Sequence, residues 1–139
     1  MVDPRLELVQ AWLAKALHDL GTARKAAVDP DPYLDTAVYH CQQAAEKSLK
    51  AFLTFHDVLF DKTHNLGSLL VQVTVVDPSF MVLADAAETL TPYATLYRYP
   101  SDLQEPSGEE FCEAMERARD VYTFVVAMLP PEVNPEQAR

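Results

Sequence analysis

The first candidate for binding chemistry is a polar stripe in a segment with helical spacing. Four donor side chains recur at intervals of three, four and three residues: His40, Gln43, Lys47 and Lys50. On a helix this spacing places them on one side, where their N–H groups can donate several hydrogen bonds to a phosphate. The alternative is an ordinary solvated flank with a Glu46–Lys50 pair one turn apart, because exposed helix surfaces carry such residues anyway.

A second candidate is His64, at the start of an apolar segment that predicts a short helix beginning near Thr63. The N–H groups at a helix N-terminus favour anions, so His64 is placed where an anion would bind. A capping or packing role is the alternative, because the sequence names no partner for this histidine.

A third candidate combines aromatic rings with one cation where a predicted helix breaks. It consists of Tyr93, Tyr97, Arg98 and Tyr99. A guanidinium can hold a phosphate in bidentate fashion while a tyrosine ring stacks on a base, so the cluster suits a nucleotide or single-stranded RNA. Alternatively, Tyr97 belongs to the core, and Arg98 caps its own helix or pairs with an acid of the last one.

Composition and motifs exclude several classes of function. The net charge is −10, with 21 acidic against 11 basic residues, which argues against general DNA or RNA coating through phosphate neutralisation. Six of the eleven basic side chains fall within residues 15–62, so a local anion site in the first half stays open. Glycine-rich phosphate loops, metal-binding His-Glu-x-x-His motifs and Gly-x-Ser-x-Gly elbows are missing, so we expect neither a cofactor nor a metal.

Five amphipathic segments must position these candidates. Their helix-start signals are Asp3-Pro4, Asp29-Pro30-Asp31-Pro32, Thr63, Asp77-Pro78 and a capping box at Ser107 to Glu110. Apolar residues then recur every three or four positions, which predicts an all-α, antiparallel up-and-down bundle of four long helices and one short one. At residues 71–76 the stretch VQVTVV alternates as a strand does, but a lone strand would have no partner elsewhere in the chain. We expect one domain over residues 1–130 and a frayed tail over 131–139.

The cellular compartment is predicted from the cysteines and the hydropathy. Cys41 and Cys112 each lie in an apolar helical stripe and are expected to be buried free thiols in a reducing environment. No apolar run approaches the roughly 18 residues that a membrane span needs. The N-terminus lacks the order of a signal peptide, so the sequence favours a soluble, cytoplasmic protein without membrane partners.

Three segments carry a resemblance to a known family. YHCQQAAEKSLKAFL (residues 39–53), THNLGSLL (63–70) and YRYP (97–100) resemble the HEPN domain family in order and spacing. The similarity runs from about residue 8 to residue 129 and includes WLAKALHDLGTA (12–23) of the first helix. It implies an all-α bundle that is commonly dimeric and often paired with a small nucleotidyltransferase, in some cases as toxin and antitoxin. The resemblance therefore implies a function that involves nucleotides or RNA.

Many HEPN toxins are metal-independent ribonucleases with an arginine, four to six intervening residues and a histidine. If Arg98 supplies the arginine, the histidine falls at 103, 104 or 105, where this chain has Leu103, Gln104 and Glu105. None of these is an acid or base that works near neutral pH as an imidazole does. The resemblance therefore favours the non-catalytic branch with an Arg-Tyr-Pro motif, and we do not expect an enzyme.

Three functional hypotheses follow. The first is a homodimeric module that binds a nucleotide or a nucleotidyltransferase in a groove lined by Lys47, Lys50, His64, Arg98 and Tyr99. The second is a ribonuclease toxin in which His40 or His64 replaces the expected histidine. The third is an assembly partner whose last helix presents Glu109, Glu113 and Glu116 to a basic protein. Dimerisation is also indicated by apolar residues outside the helical stripes: Leu8, Trp12, Phe55 and Val126.

Overall fold

The computed structural model describes residues 3–137, and within that range the chain is helical with no strand. The α-helices are α1 (Pro4–Ala26), α2 (Leu34–Phe55), α3 (Leu66–Val76), α4 (Ala84–Leu90) and α5 (Gly108–Ala127). Short 3-10 helices span Pro78–Leu83, Thr91–Ala94 and Pro131–Val133. The all-α helical bundle predicted from the sequence is confirmed.

The central element is α2, which packs against α1, α3 and α5. Trp12 of α1 lies beside Lys50 of α2, and Asp19 lies beside His40, so α1 and α2 run antiparallel. Most α2 side chains are buried, and the buried ones include polar residues such as Gln42 and Glu46. A helix covered on nearly every side places its polar groups inside the molecule, where each one requires a partner.

Two of the predicted helix starts are confirmed in atomic detail. The Asp3 carboxylate accepts the Arg5 backbone N–H at 2.8 Å, and Pro4 occupies the first turn of α1. At α5 the Ser107 hydroxyl accepts from the Glu110 N–H, and the Glu110 carboxylate accepts from the Ser107 N–H, each at 3.1 Å. Both caps satisfy N–H groups that a helix leaves unpaired at its first turn.

The start of α3 differs from the prediction. The cap is Asn65, whose side-chain oxygen accepts the Ser68 N–H at 3.1 Å, and not Thr63. The Thr63 hydroxyl accepts the Asn65 N–H, so it orders the turn that precedes the helix. From there the helix continues to Val76 through the strand-like VQVTVV stretch, because a lone strand would find no partner.

The fourth helical segment is less regular than its even apolar spacing indicates. It is divided into the 3-10 helix Pro78–Leu83, the seven-residue α4 and the 3-10 helix Thr91–Ala94. Pro92 accounts for the second break, because proline has no N–H to donate and its ring clashes with the carbonyl four residues earlier. Pro92 lies inside the predicted helix and not at its border.

One further expectation, the burial of both cysteines, needs correction. Cys41 is buried as predicted, but Cys112 is exposed, because it lies one position off the buried stripe of α5. In the tail, Val133 is buried, and the Gln10 amide donates to the Glu132 carbonyl at 3.4 Å. The remaining tail residues, 138 and 139, lie outside the described range. Within residues 3–137 no helix combines the length and apolarity needed to cross a bilayer.

Candidate functional site

A buried carboxylate joins α1 to the predicted polar stripe of α2. Asp19 accepts from His40 Nδ1 at 2.8 Å through one oxygen and from Lys47 Nζ at 2.5 Å through the other. The Asp19 side chain is only 6% exposed. We call these three residues the Asp19 cluster. Because the imidazole uses Nδ1 toward the carboxylate, Nε2 is the ring nitrogen left for another partner.

A second buried carboxylate ties α2 to the turn before α3. Glu46 accepts from His64 Nδ1 at 2.8 Å, from Lys50 Nζ at 3.0 Å and from the Gln42 amide at 3.2 Å. Gln42 also donates to the His64 carbonyl at 2.9 Å, so the turn is held through both its backbone and its imidazole. We call these four residues the Glu46 cluster.

Hydrogen bonding decides the ionisation of Glu46. Burial would by itself raise the pKa of this carboxyl, but the hydrogen bonds from His64 and Lys50 outweigh it, and the pKa lies below its ordinary value. The Lys50 ammonium also lies 5.8 Å from the ring centroid of Trp12 and 5.5 Å from that of Phe60. Glu46 is therefore a buried anion whose charge is balanced locally.

The polar stripe of α2 is thus neither a solvated flank nor a set of free cations. Lys47 and Lys50 each pair with a buried carboxylate, and Gln43 is buried, donating to the Gln42 side-chain oxygen at 2.7 Å. The predicted Glu46–Lys50 pair is present, but inside the molecule. Sequence reasoning missed Asp19 altogether. The sequence feature that could have revealed Asp19 is an acidic residue within the apolar stripe of α1, three residues after one buried alanine and four residues before the next.

Arg98 lies against the other end of the same side of α2. Its guanidinium carbon is 4.6 Å from the centroid of the Tyr39 ring, which is cation–π distance. The Tyr39 ring also meets His40 edge-on, with centroids 5.3 Å apart. Within residues 3–137 Arg98 forms no ion pair with a carboxylate and caps no helix, so neither alternative role holds there.

A surface cavity of about 310 Å³ brings Arg98 and His40 together. It is lined by Asp35, Thr36, Tyr39, His40, Tyr97 and Arg98. We call it the Arg98 cavity. It offers a guanidinium, an imidazole held by a carboxylate and two tyrosines to one ligand. Those groups match what a phosphate or another small anion requires, while Asp35 opposes negative charge at one side.

The other aromatic residues of the predicted cluster have separate positions. Tyr97 is half-buried and stacks on Tyr93 with centroids 6.1 Å apart. Burial, together with the negative charge of Glu110, raises the pKa of the Tyr97 hydroxyl, so this group stays protonated and can donate. Tyr99 is 74% exposed and leaves its ring open to solvent.

The predicted site residues therefore divide into two groups. Arg98, Tyr97 and His40 line one cavity, whereas Lys47, Lys50 and His64 do not line it. The side chains of Tyr39 and Glu46 project from the same side of α2, seven residues apart, which corresponds to roughly 10 Å along a helix. Arg98 and His64 consequently contact the same side of α2 at different positions along the helix axis.

Within residues 3–137, histidine, cysteine, aspartate and glutamate nowhere come together as a group of three that could hold an ion. Both clusters instead balance each carboxylate with a lysine and a histidine.

Comparison with known protein families identifies a match. The model of the HEPN domain matches residues 9–129, which is most of the 139-residue chain. No curated protein and no solved structure matches the chain. The match indicates, in general terms, a module that deals with nucleotides or RNA. Because it covers all of α2 and α5, the Arg98 segment and most of α1, the chain belongs to the HEPN domain family.

Proposed function

We propose that this protein is a nucleotide-binding module in which the Arg98 cavity holds a phosphate group. The observation that carries the proposal is which of the basic side chains are paired with a carboxylate. Lys47 and Lys50 are neutralised by buried carboxylates, while the Arg98 guanidinium pairs with no carboxylate in residues 3–137 and lines a cavity. Arg98 is therefore the predicted site cation best placed to bind an external anion.

The chemistry of the cavity supports a phosphate. A guanidinium donates two parallel hydrogen bonds to a phosphate, and resting on the Tyr39 ring restricts its orientation. His40 Nε2 and the Tyr97 hydroxyl are further donors or acceptors lining the same space. Tyr99, the next residue after Arg98, has an exposed ring on which a base can stack.

Equilibrium binding of fluorescently labelled ATP and GTP to the full chain tests this proposal. Arg98→Gln should weaken binding at least about tenfold, since one charge-assisted bidentate contact contributes on the order of 1.5–3 kcal/mol. Arg117→Gln is the matched control, because Arg117 is a half-exposed arginine on α5 with only a distant 3.9 Å pair to Glu113. Absence of saturable binding for either nucleotide, or equal loss in both variants, would reject the proposal.

The proposal extends to partners. By its resemblance to the family, the protein would act as a homodimer beside a small nucleotidyltransferase, as one half of a toxin–antitoxin pair. The exposed acids of α5 support a basic protein partner, because Glu109, Glu113 and Glu116 recur at helical spacing on one side. Co-elution with a purified small nucleotidyltransferase of the kind paired with this family on a sizing column tests this part, and elution as separate peaks contradicts it.

A second candidate function is metal-independent ribonuclease activity with His40 in place of the expected histidine. What favours it is that His40 lines the cavity of Arg98 and that Asp19 fixes its Nδ1. A carboxylate-oriented imidazole beside a guanidinium is an arrangement suited to general acid–base cleavage of a phosphodiester. His64 lacks this support, because it lies with Glu46 outside the cavity.

Growth arrest on expression, with RNA cleavage by the purified protein, tests the ribonuclease alternative. Arg98→Ala and His40→Gln should both abolish the arrest, while His64→Gln should retain it. Intact RNA and normal growth with the wild-type protein would remove this alternative and leave the nucleotide-binding proposal standing.

A further inference from the structure

The exposed side of α1 carries a cavity that is lined by basic side chains and by no acid. Its volume is about 390 Å³, and Pro135 of the C-terminal segment forms part of its wall. The lining residues are Ala14, Leu17, His18, Gly21, Thr22, Arg24, Lys25 and Pro135. We call it the Arg24 cavity. In a chain with 21 acidic and 11 basic residues, it is a local exception to the negative charge of the molecule.

The two cations of this cavity are available to a ligand. Both side chains are exposed, and within residues 3–137 neither Arg24 nor Lys25 forms an ion pair. Cations in a last turn often complement the carbonyl end of a helix. Here the Arg24 and Lys25 carbonyls already accept the backbone N–H groups of Ala27 and Val28, so the two side chains are not needed as caps.

The acids adjacent to the cavity residues in the chain have partners elsewhere. Asp19, which follows His18, is buried within the Asp19 cluster. Glu136, which follows Pro135, accepts from the Tyr122 hydroxyl at 3.4 Å. Neither carboxylate lines the cavity, so neither neutralises its cations by direct pairing.

A neighbouring cavity of about 510 Å³ between α1 and α5 shares Arg24. Arg119 faces the same space, so two guanidinium groups come together where these helices meet. Glu116 and Asp120 line it as well, and their charges offset those of the two arginines. We therefore place an anion in the Arg24 cavity and not in this neighbouring space.

Gly21 is a further feature of the cavity that packing does not explain. It lies within α1, where glycine stabilises a helix less than alanine does. A Cβ built there would meet only the Arg24 Nη2 atom, at 3.8 Å, which is ordinary van der Waals contact. Together with Ala14, Gly21 leaves the cavity open down to the helix, so a ligand can approach the backbone closely.

We infer that the Arg24 cavity binds a linear run of phosphate groups. A guanidinium holds one phosphate in bidentate fashion, and an ammonium attracts another as a point charge. His18 and Lys25 are seven residues apart, roughly 10 Å along the helix, so one phosphate contacts only part of the donor set. A chain of phosphates can contact all of it. This site is separate from the Arg98 cavity and does not depend on nucleotide binding there.

Two kinds of ligand supply such a run, a free oligophosphate and the backbone of a single-stranded nucleic acid. Isothermal titration calorimetry of the full chain with phosphate, pyrophosphate and tripolyphosphate tests the shared chemistry, and the affinity should rise along that series. A short oligouridylate titrated in parallel identifies the source. Tighter binding of tripolyphosphate than of the oligonucleotide assigns a free oligophosphate, and the reverse order assigns a strand.

Removal of the two cations should weaken the binding of tripolyphosphate. Arg24→Gln combined with Lys25→Gln should raise the dissociation constant at least about tenfold, because it removes two charge-assisted contacts. Lys62→Gln combined with Arg117→Gln is the matched control, since it removes two positive charges outside the cavity. Added salt should weaken binding by the wild type, because it screens these contacts.

Filling the cavity tests the site without a change of charge. Gly21→Leu should also weaken tripolyphosphate binding at least about tenfold, while the thermal unfolding midpoint should not fall, since leucine is a better helix former than glycine. Ala11→Leu, at an exposed position of α1 outside the cavity, is the control and should bind as the wild type does. If Gly21→Leu loses structure, the exposed Arg24 and Lys25 positions still decide the question.

The inference is overturned by a wild type without saturable tripolyphosphate binding, or by equal losses in the two double variants. It is also overturned if Arg98→Gln alone abolishes tripolyphosphate binding, because the anion then occupies the Arg98 cavity. Binding that Arg98→Gln retains and the Arg24 and Lys25 double variant loses supports the inference, whatever the outcome of the nucleotide titrations.

Discussion

The Asp19 carboxylate of α1 lies 2.8 Å from Nδ1 of His40 on α2, and its other oxygen binds Lys47. One buried acid therefore connects the two longest helices, orients the imidazole that lines the Arg98 cavity and neutralises a lysine about two helical turns further along α2. Since the Asp19 side chain is nearly inaccessible, each of its two oxygens depends on these partners for the hydrogen bonds that water would otherwise supply.

Removing the charge of Asp19 should destabilise the fold. We expect Asp19→Asn to lower the free energy of unfolding by about 2–4 kcal/mol, because it leaves Lys47 without a counter-ion between two helices. Lys47→Met should cost less, since His40 stays on the carboxylate and the lysine is already 22% exposed. Urea unfolding measures both. Lys15→Met, on the exposed side of α1, should change stability by less than about 0.5 kcal/mol.

The Glu46 cluster predicts a specific dependence of stability on pH. Because the pKa of Glu46 is lowered in the folded protein, the unfolded chain binds its proton more readily. The contribution of this carboxyl is therefore complete above about pH 4.5 and is lost as the pH falls through the lowered folded pKa. Urea unfolding of wild type and Glu46→Gln at several pH values between 3 and 7 measures it.

At pH 7 Glu46→Gln should cost about 3 kcal/mol, because Lys50 remains as a buried cation without its partner. The difference from wild type should begin to narrow below about pH 4.5, where the unfolded chain takes up this proton, and should close as the pH falls through the lowered pKa of the folded carboxyl. Glu116→Gln, an exposed position on α5, is the control and should follow the wild-type curve. A gap that stays constant down to pH 3 would contradict the assigned role of Glu46.

The two cysteines should differ sharply in reactivity. Burial raises the pKa of Cys41 to about 12, and its thiol donates to the Met115 sulfur at 3.8 Å, whereas Cys112 is exposed. Since the thiolate is the reactive form, a thiol reagent should label Cys112 in the native protein and Cys41 only after unfolding. Titration with a chromogenic disulfide should detect one reactive thiol per chain in the native protein and two in urea. For a Cys112→Ser variant it should detect no reactive thiol in the native protein and one in urea.

Local signals in the sequence predicted much of the fold. The Asp3-Pro4 start and the Ser107 to Glu110 capping box operate within one helical turn, so neighbouring residues alone determine them. The fourth segment is harder to predict, because its apolar residues stay evenly spaced across Pro92 although the α-helix ends there. The observed cap of α3 is Asn65 and not Thr63, which agrees with the higher N-cap preference of asparagine over threonine.

The site was less predictable for a reason of packing. His40, Lys47 and Lys50 were identified from their spacing, but whether such residues bind a ligand or each other depends on which acids face them. Asp19 reaches His40 and Lys47 from another helix, 21 residues before His40, and no periodicity within α2 reports that contact. Arg98 can be singled out only after these pairings are known, because what distinguishes it from the two lysines is that it pairs with no carboxylate within residues 3–137.

Asp35 gives the last prediction, because it is the acid that lines the Arg98 cavity. It also lies in the first turn of α2, where a carboxylate stabilises a helix by about 0.3–1 kcal/mol. Asp35→Asn should therefore cost a little stability while tightening nucleotide binding about two- to fivefold, as removal of a partly exposed like charge would.

Glu7→Gln is the matched control, since Glu7 occupies the first turn of α1 outside the cavity. It should cost a comparable amount of stability and leave nucleotide affinity unchanged. Parallel titrations with labelled ATP at low and moderate salt measure both effects, and the gain from Asp35→Asn should shrink as salt screens the charge. If Asp35→Asn binds nucleotide with the same affinity as wild type or more weakly, the anion binds elsewhere, even if Arg98→Gln impairs binding.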